Sequence, residues 1–209
     1  MPRYKITQSL LQSWNYVHSC WEGCEDDAME SFLTALRGEK EELTEEQMQH
    51  IQNGGDFEDA VYTVAGGAPF SGNPKWERGV TEIADLVKGA QFQVRIHKPI
   101  TVGGMDFEIH GVLDALREGT IFDIKFKNKS FGSLDLAGDY LDSPQHPFYF
   151  YLVPEARKFM YLVSDGNDLY IEQYLPEQTA PAGKIIAEFV DFLTASNLME
   201  IYKANWQVS

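Results

Sequence analysis

Asp114, Asp123 and Lys125 are the residues whose types and spacing could do chemistry. Between the two aspartates, Glu118-Gly119 has the composition of a two-residue hairpin turn, which sets Arg117 opposite Thr120. Counted away from that turn, Asp114 faces Asp123, Val112 faces Lys125 and His110 faces Lys127, all six on one side of the ribbon. The other side carries Ile109, Gly111, Leu113, Ala115, Phe122, Ile124 and Phe126. One face is therefore expected to be core and the other polar. Directly opposed carboxylates, about 4.5–5.5 Å apart at Cβ, repel one another. A divalent cation between them removes that repulsion, and hard oxygen donors suit magnesium or manganese. Lys125 can orient an attacking water or offset a developing negative charge. The same pattern also fits a solvated face on which Asp and Lys pair as a surface ion network.

Other elements must hold this hairpin in place. Apolar residues at spacings of three and four (Leu10, Leu11, Trp14, Val17, Trp21) predict a helix over 7–36. Thr44 and Gln47 predict a capping box on a short helix through Ile51; Asn53-Gly54-Gly55 reads as a break, and Asp56 as the cap of the next helix. A further helix is expected over 75–88. The period then changes to two. Strands are expected at 91–100, 105–117 and 120–127 as an antiparallel meander, then a helix at 145–153 and strands at 158–164 and 168–174. A closing helix is expected over 183–203. The fold class is α/β, with a mixed central β-sheet flanked by helices. The expected organisation is one domain over 1–209, with a helical part at 1–90, a sheet core at 91–175 and the C-terminal helix at 183–203.

Composition narrows the function. The chain has 209 residues, 17 Lys plus Arg and 32 Asp plus Glu, a net charge of −15. Its 44% hydrophobic and 13% aromatic content rules out general disorder, and the charge rules out a basic nucleic-acid coat. The charge is uneven, however. Residues 1–60 hold thirteen acids against four bases, whereas residues 88–129 hold seven bases against five acids. No secretory signal or membrane span is visible, so a cytoplasmic protein is expected. Cys20 and Cys24, with His18 nearby, read as small residues of an amphipathic helix; a zinc half-site is the other reading.

Gly111-Val-Leu-Asp114 followed by Phe122-Asp123-Ile-Lys125 resembles the core of the PD-(D/E)XK nuclease superfamily, whose fold is restriction-endonuclease-like. Gln145-His-Pro-Phe-Tyr149 matches the Gln-x-x-x-Tyr element typical of its RecB-like and Cas4-like exonuclease branch. Gly54-Gly-Asp-Phe-Glu58 resembles the helical motif of that branch, with glutamate where many members carry histidine. The opening Ile6-Thr-Gln-Ser-Leu-Leu-Gln-Ser-Trp-Asn-Tyr is similar to its first helix. This sequence departs from the pattern in having Phe122 before the second acid and Pro147 inside the Gln-x-x-x-Tyr segment.

The resemblance implies a metal-dependent deoxyribonuclease, an exonuclease of recombination, repair or phage-related modules. Asp114, Asp123, the Ile124 carbonyl and Glu58 would bind Mg2+ or Mn2+, Lys125 would serve the chemistry, and Gln145, Tyr149 and Lys127 would support the site or touch DNA. With two cysteines, no iron–sulfur cluster is expected. His110 reads as an ordinary polar sheet residue and Lys129 as a solvated strand end or phosphate-contacting rim. The partners implied are DNA ends or single strands and a protein that loads the enzyme on them. Two other readings stay open: a silent nuclease-fold subunit docking a basic partner, and a nuclease acting on RNA.

Overall fold

Residues 91–126 fold as the meander that their alternation predicts: β2 (Gln91–Val102), β3 (Met105–Arg117) and β4 (Thr120–Phe126). The structure is a computed structural model describing residues 3–133 and 136–208; residues 1, 2, 134, 135 and 209 of the expected 1–209 domain lie outside the described residues. Both hairpin turns, Gly103-Gly104 and Glu118-Gly119, have positive φ at both central positions, the twist that matches two right-handed strands. Arg117 pairs with Thr120, Leu116 with Ile121 and Ala115 with Phe122, the expected register.

There the β3–β4 ladder ends. Asp114 and Asp123 are not a ladder pair, nor are Val112 and Lys125, or His110 and Lys127. β4 instead stays parallel to β5 (Lys158–Ser164) along its length, and β5 pairs antiparallel with β6 (Leu169–Tyr174). A strand absent from the sequence reading, β1 (Arg3–Thr7), runs parallel to β3 along residues 106–110. β2 lines the opposite edge of β3 from Met105 to Leu116, so β1 and β4 share one edge. Between them, residues 111–114 of β3 have no strand partner on that edge among the described residues, and the sheet forks.

Helices cover both faces. On one, α1 (Gln8–Ser19), α2 (Glu25–Leu36), α5 (Gln145–Leu152), α6 (Ala182–Ala195) and α7 (Met199–Trp206) bury Leu10, Trp14, Phe32, Phe148, Phe189 and Tyr202 against Ile6, Phe107, Ile109 and Ile121. On the other, α3 (Glu45–Ala65) and α4 (Glu77–Val87) bury Phe57, Val61, Val80 and Ile83 against Ala115, Phe122, Ile124 and Leu162. This mixed α/β architecture corrects the expectation of one open polar face. Parallel pairing requires crossovers, and the crossover helices bury both sides of β4. Asp123, expected on that polar face, is only 2% exposed. Among the described residues no helix is long and apolar enough to cross a membrane.

Three helix boundaries also differ from expectation. The helix predicted over 7–36 is two helices preceded by a strand, parted where Gly23 adopts φ +91°. The closing helix is broken by Asn197 at φ +58°, a left-handed stop between α6 and α7. The capping box at Thr44 and Gln47 forms, but α3 then runs 21 residues straight through Gly54-Gly55. Side-chain hydrogen bonds from Gln49 to Asn53 and from Gln52 to Asp56 tie the turns leading into the glycines. Beyond them Phe57 and Val61 anchor the helix in the core.

Neither Gly54 nor Gly55 has positive φ, and a Cβ on either would meet nothing within 4 Å. Gly54→Ala and Gly55→Ala should therefore each stabilise the protein by about 0.5–1 kcal/mol through helix propensity. Urea unfolding of the two variants checks this; a lower midpoint in both would show that the glycines serve a close approach instead.

Candidate active site

The fork in the sheet is filled by α5 and by the ends of β3 and β4. Gly111 lies under α5: a Cβ there would come within 2.5 Å of Leu152 Cδ1 and 2.6 Å of Tyr149 Cε1. The Tyr149 hydroxyl donates to the Val112 carbonyl at 2.7 Å, taking a position that a neighbouring strand would otherwise fill. Pro147 sits in the first turn of α5, where its missing N–H costs no helical hydrogen bond. Gln145 and Tyr149 consequently both project into the fork.

The carboxylates meet there. Ile124 donates its N–H to Asp114 Oδ2 at 2.8 Å, so a side chain replaces the ladder partner lost after Phe122. The N–H and C=O of one strand residue point to the same side, so the Ile124 carbonyl also faces the fork. Asp123 Oδ1 accepts from the Gln145 side-chain amide. Asp123 Oδ2 lies 2.7 Å from Lys125 Nζ, yet off the direction of a hydrogen bond, and this buried oxygen has no directed donor. Glu58 arrives from α3. Its Oε1 accepts from the Tyr62 hydroxyl and, at 2.7 Å, from Gln93 Nε2.

Electrostatics follow from this crowding. Burial, then the charges of Asp123 and Glu58, raise the Asp114 carboxyl well above the usual range. Burial and the Asp123 charge also raise Glu58, against the opposing pull of the Tyr62 hydrogen bond and Lys125. Burial pulls Lys125 down, but Asp123 and Asp114 outweigh it and leave the ammonium above its ordinary value. The site thus holds three acids around one lysine, and one acid oxygen remains without a directed partner.

The structure brings together Asp114, Asp123, Ile124, Lys125, Glu58, Gln145 and Tyr149. It does not bring Lys127, whose ammonium turns to Asp139 at 3.5 Å and lies 5.8 Å from the Tyr140 ring centre. Lys129 is exposed beyond β4. His110 Nε2 donates to the Glu108 carboxylate at 2.7 Å, and the ring stacks on His97 across β2–β3. His18 packs edge-on against Trp14 and Phe192, while Cys20 and Cys24 are free thiols, Cys24 beside the Tyr16 hydroxyl at 3.2 Å.

Sequence reasoning missed Gln93. It occupies the position on β2 opposite Asp114, where pairing skips from Phe92↔Ala115 to Val94↔Leu113. Its φ of +51° is left-handed, a cost of about 1–3 kcal/mol for a residue with a Cβ. Its side chain holds Glu58 and Tyr62. No composition signal marks such a residue, although its place opposite Asp114 follows from the Gly103-Gly104 turn. Also missed were Lys5, Arg95 and His97, which with His110 line a cleft of about 540 Å³ containing Asp114, Asp123 and Lys125.

Among the described residues no group of three or more His, Cys, Asp or Glu stands ready to hold a metal. The oxygen donors at the fork are the Asp114 and Asp123 carboxylates, with the Glu58 carboxylate near enough to act on both electrostatically. They are all oxygen, which fits magnesium or manganese rather than zinc, and the buried Asp123 Oδ2 is met by the Lys125 ammonium but by no directed hydrogen bond.

No protein-family model matches the chain, and no curated protein matches it. Its fold is similar to a solved structure, that of SSO0001, with a TM-score of 0.53 at 14% identity over 92% of this chain and 77% of that one. That likeness concerns the fold, a mixed sheet flanked by helices.

His146, next to Gln145, stacks on Tyr174 at 4.0 Å and lies 3.2 Å from the Tyr161 hydroxyl. Burial pushes its pKa down to about 4, against a weak opposing effect of Glu172. An unfolded chain binds this proton near 6.5, so the neutral ring favours folding above that pH, and the benefit is lost as pH falls toward 4. At pH 5 the loss is about 2 kcal/mol relative to pH 7.5. In His146→Phe that part of the pH dependence should vanish, as urea midpoints at the two pH values will report.

Proposed function

We propose that this protein is a divalent-metal-dependent deoxyribonuclease acting on ends or single strands. One observation carries the reading: two buried carboxylates, Asp114 and Asp123, crowd around the single ammonium of Lys125 on the floor of a cleft that Lys5 and Arg95 also line, in a protein of net charge −15. Acids crowded at the floor call for a cation. Lys5 and Arg95 in the lining call for a polyanion, while His97 and His110 beside them are both engaged with Glu108. Resemblance of the Asp114, Asp123, Lys125, Gln145 and Tyr149 pattern to the PD-(D/E)XK superfamily points the same way.

Asp114, Asp123, the Ile124 carbonyl and Glu58 would hold Mg2+ or Mn2+, which when bound acidifies water and screens phosphate charge. Gln145 fixes one oxygen of Asp123, so that carboxylate cannot rotate away. Tyr149 satisfies the Val112 carbonyl and so keeps the fork open beside the carboxylates. Lys125 points at the same carboxylate and stays protonated, placed to orient the attacking water or stabilise the pentacoordinate phosphate. Gln93 and Tyr62 hold Glu58 toward the other side of the centre. The acidic helices resist long duplex contacts, so affinity for free DNA is weak and falls with salt, and a partner protein loads the enzyme.

With Mg2+ or Mn2+ the purified protein should hydrolyse DNA, and chelation should abolish the activity. Asp123→Asn and Lys125→Ala, shown folded by circular dichroism, should each lose about 10²-fold or more. Calorimetry should show Mn2+ binding that Asp114→Asn weakens. A protein that binds no metal, or variants as active as the parent, would overturn the reading. An RNA oligonucleotide of equal length, run in parallel, decides which sugar is accepted.

A further inference from the structure

One face of the sheet extends well past the carboxylates and carries no helix. Alternation along β3 puts Asp106, Glu108, His110 and Val112 on the same face as Asp114. Register adds Arg3 and Lys5 from β1, and Arg95 and His97 from β2. Short of Asp114 all of these are exposed or half-buried, whereas Tyr4, Ile6, Phe107 and Ile109 on the opposite face are buried in the core. The cleft of about 540 Å³ at Asp114 and Asp123 is therefore one end of a longer open platform.

Its charge runs against that of the molecule. Beyond Asp114 it holds Arg3, Lys5 and Arg95 against Asp106 and Glu108, in a protein of net charge −15. Asp106 accepts from the Thr101 hydroxyl at 2.7 Å. Glu108 is engaged by Arg3 at 3.2 Å, by His110 at 2.7 Å and by His97 at 3.4 Å. Lys5 and Arg95 remain, and among the described residues neither side chain has an ion pair or a hydrogen bond. Their ladder partners on β3 are Glu108 and Val112. At about 3.3 Å per residue and 4.8 Å per strand, the two backbones stand roughly 16 Å apart.

Between these two cations lies an imidazole pair. His97 and His110 are ladder partners, with rings stacked at 5.5 Å and 27°. The His97 side chain is 69% exposed, which leaves its outer ring face to solvent. An open ring flanked by unpaired cations suits an unstacked base whose neighbouring phosphates are held on either side. A duplex keeps its bases paired and has none to offer without unpairing. An acidic polypeptide would meet the cations but leave the ring unused.

We propose that the open face of β1, β3 and β2 is a docking surface for single-stranded DNA. Lys5 and Arg95 hold phosphates, His97 stacks on a base, and the strand so held leads to Asp114 and Asp123. This rests on the nuclease reading above and adds the path of the substrate and the residues that recognise it.

The test is fluorescence anisotropy at low salt in EDTA, which reads binding without hydrolysis. The probes are a labelled DNA single strand of about twenty nucleotides, the same sequence as a blunt duplex, and an oligo-glutamate peptide of similar charge. The single strand should bind at least tenfold more tightly than either. Lys5→Gln and Arg95→Gln should each weaken it about fivefold and lower its salt dependence by about one phosphate contact. His97→Ala should weaken it about fivefold or more with the salt dependence unchanged. Lys184→Gln on α6, the same change of net charge placed elsewhere, should cost less than twofold. If Lys184→Gln weakens binding as much as the platform variants, or if duplex or peptide binds as tightly as the single strand, the platform proposal fails. Hydrolysis of DNA by the parent protein with Mn2+ would still uphold the nuclease reading in that case. If the single strand binds as described and Mn2+ brings no hydrolysis, the nuclease reading fails and the platform stands.

Discussion

The arrangement depends on keeping the Asp123 carboxylate, nearly sealed from solvent, close to a second aspartate. Removing one partner from a buried charge pair costs about 3–5 kcal/mol, so the carboxylate can persist only with Lys125 and Gln145 in place. The rest of the centre reads as compensation for that burial. β4 abandons β3 one residue before Asp123, which leaves the Ile124 N–H for Asp114 and opens room for α5. Tyr149 then satisfies the Val112 carbonyl that the missing strand would have bonded. A fully zipped hairpin would satisfy the same backbone groups, but it would have no place for a buried acid.

Net charge and local charge work on different scales here. At −15 the molecule repels polyanions from a distance. Within a Debye length, about 8 Å at physiological ionic strength, the field is that of individual clefts, and these differ in sign. The acids of residues 1–60 sit mostly on α2 and α3, whereas β2 and β3 supply Arg95, His97 and His110. Composition averages over both regions and therefore describes approach better than binding.

The site was legible in the sequence where local geometry decides position. A two-residue turn dictates register for the pairs next to it, and three pairs formed as expected. Asp-x-Lys on one strand and Gln-x-x-x-Tyr on one helix carry their own spacing, so these residues arrived together. What could not be read was set by distant parts of the chain. β1 pairs with a strand about 100 residues away, and nothing in Arg3–Thr7 announces that partner. The fork follows from β1 and β4 competing for one edge of β3, so opposition of Asp114 and Asp123 could be anticipated but the parting of their strands could not. Lys127 was placed by the same extrapolation and turned elsewhere. The glycine pair in α3 misled for another reason: turn propensity is a weak preference, and tertiary anchoring at Phe57 and Val61 overrode it.

β1 has a consequence for how the molecule assembles. Its pairing with β3 closes a loop of about 100 residues, an entropic cost met only after the meander exists as a template. The far end of the chain is tied to the same strand: Val208 donates to the Arg3 carbonyl and Tyr202 to the Lys5 carbonyl. Since α1 follows directly from Thr7, the wall it contributes beside Lys125 cannot be in place until the strand before it has docked. The carboxylate hairpin is thus an early-forming local structure and its enclosure a late one. A partly refolded chain would carry the acids without the walls, and the cleft would be enclosed only once Arg3–Thr7 had paired with β3 and with residues 202–208.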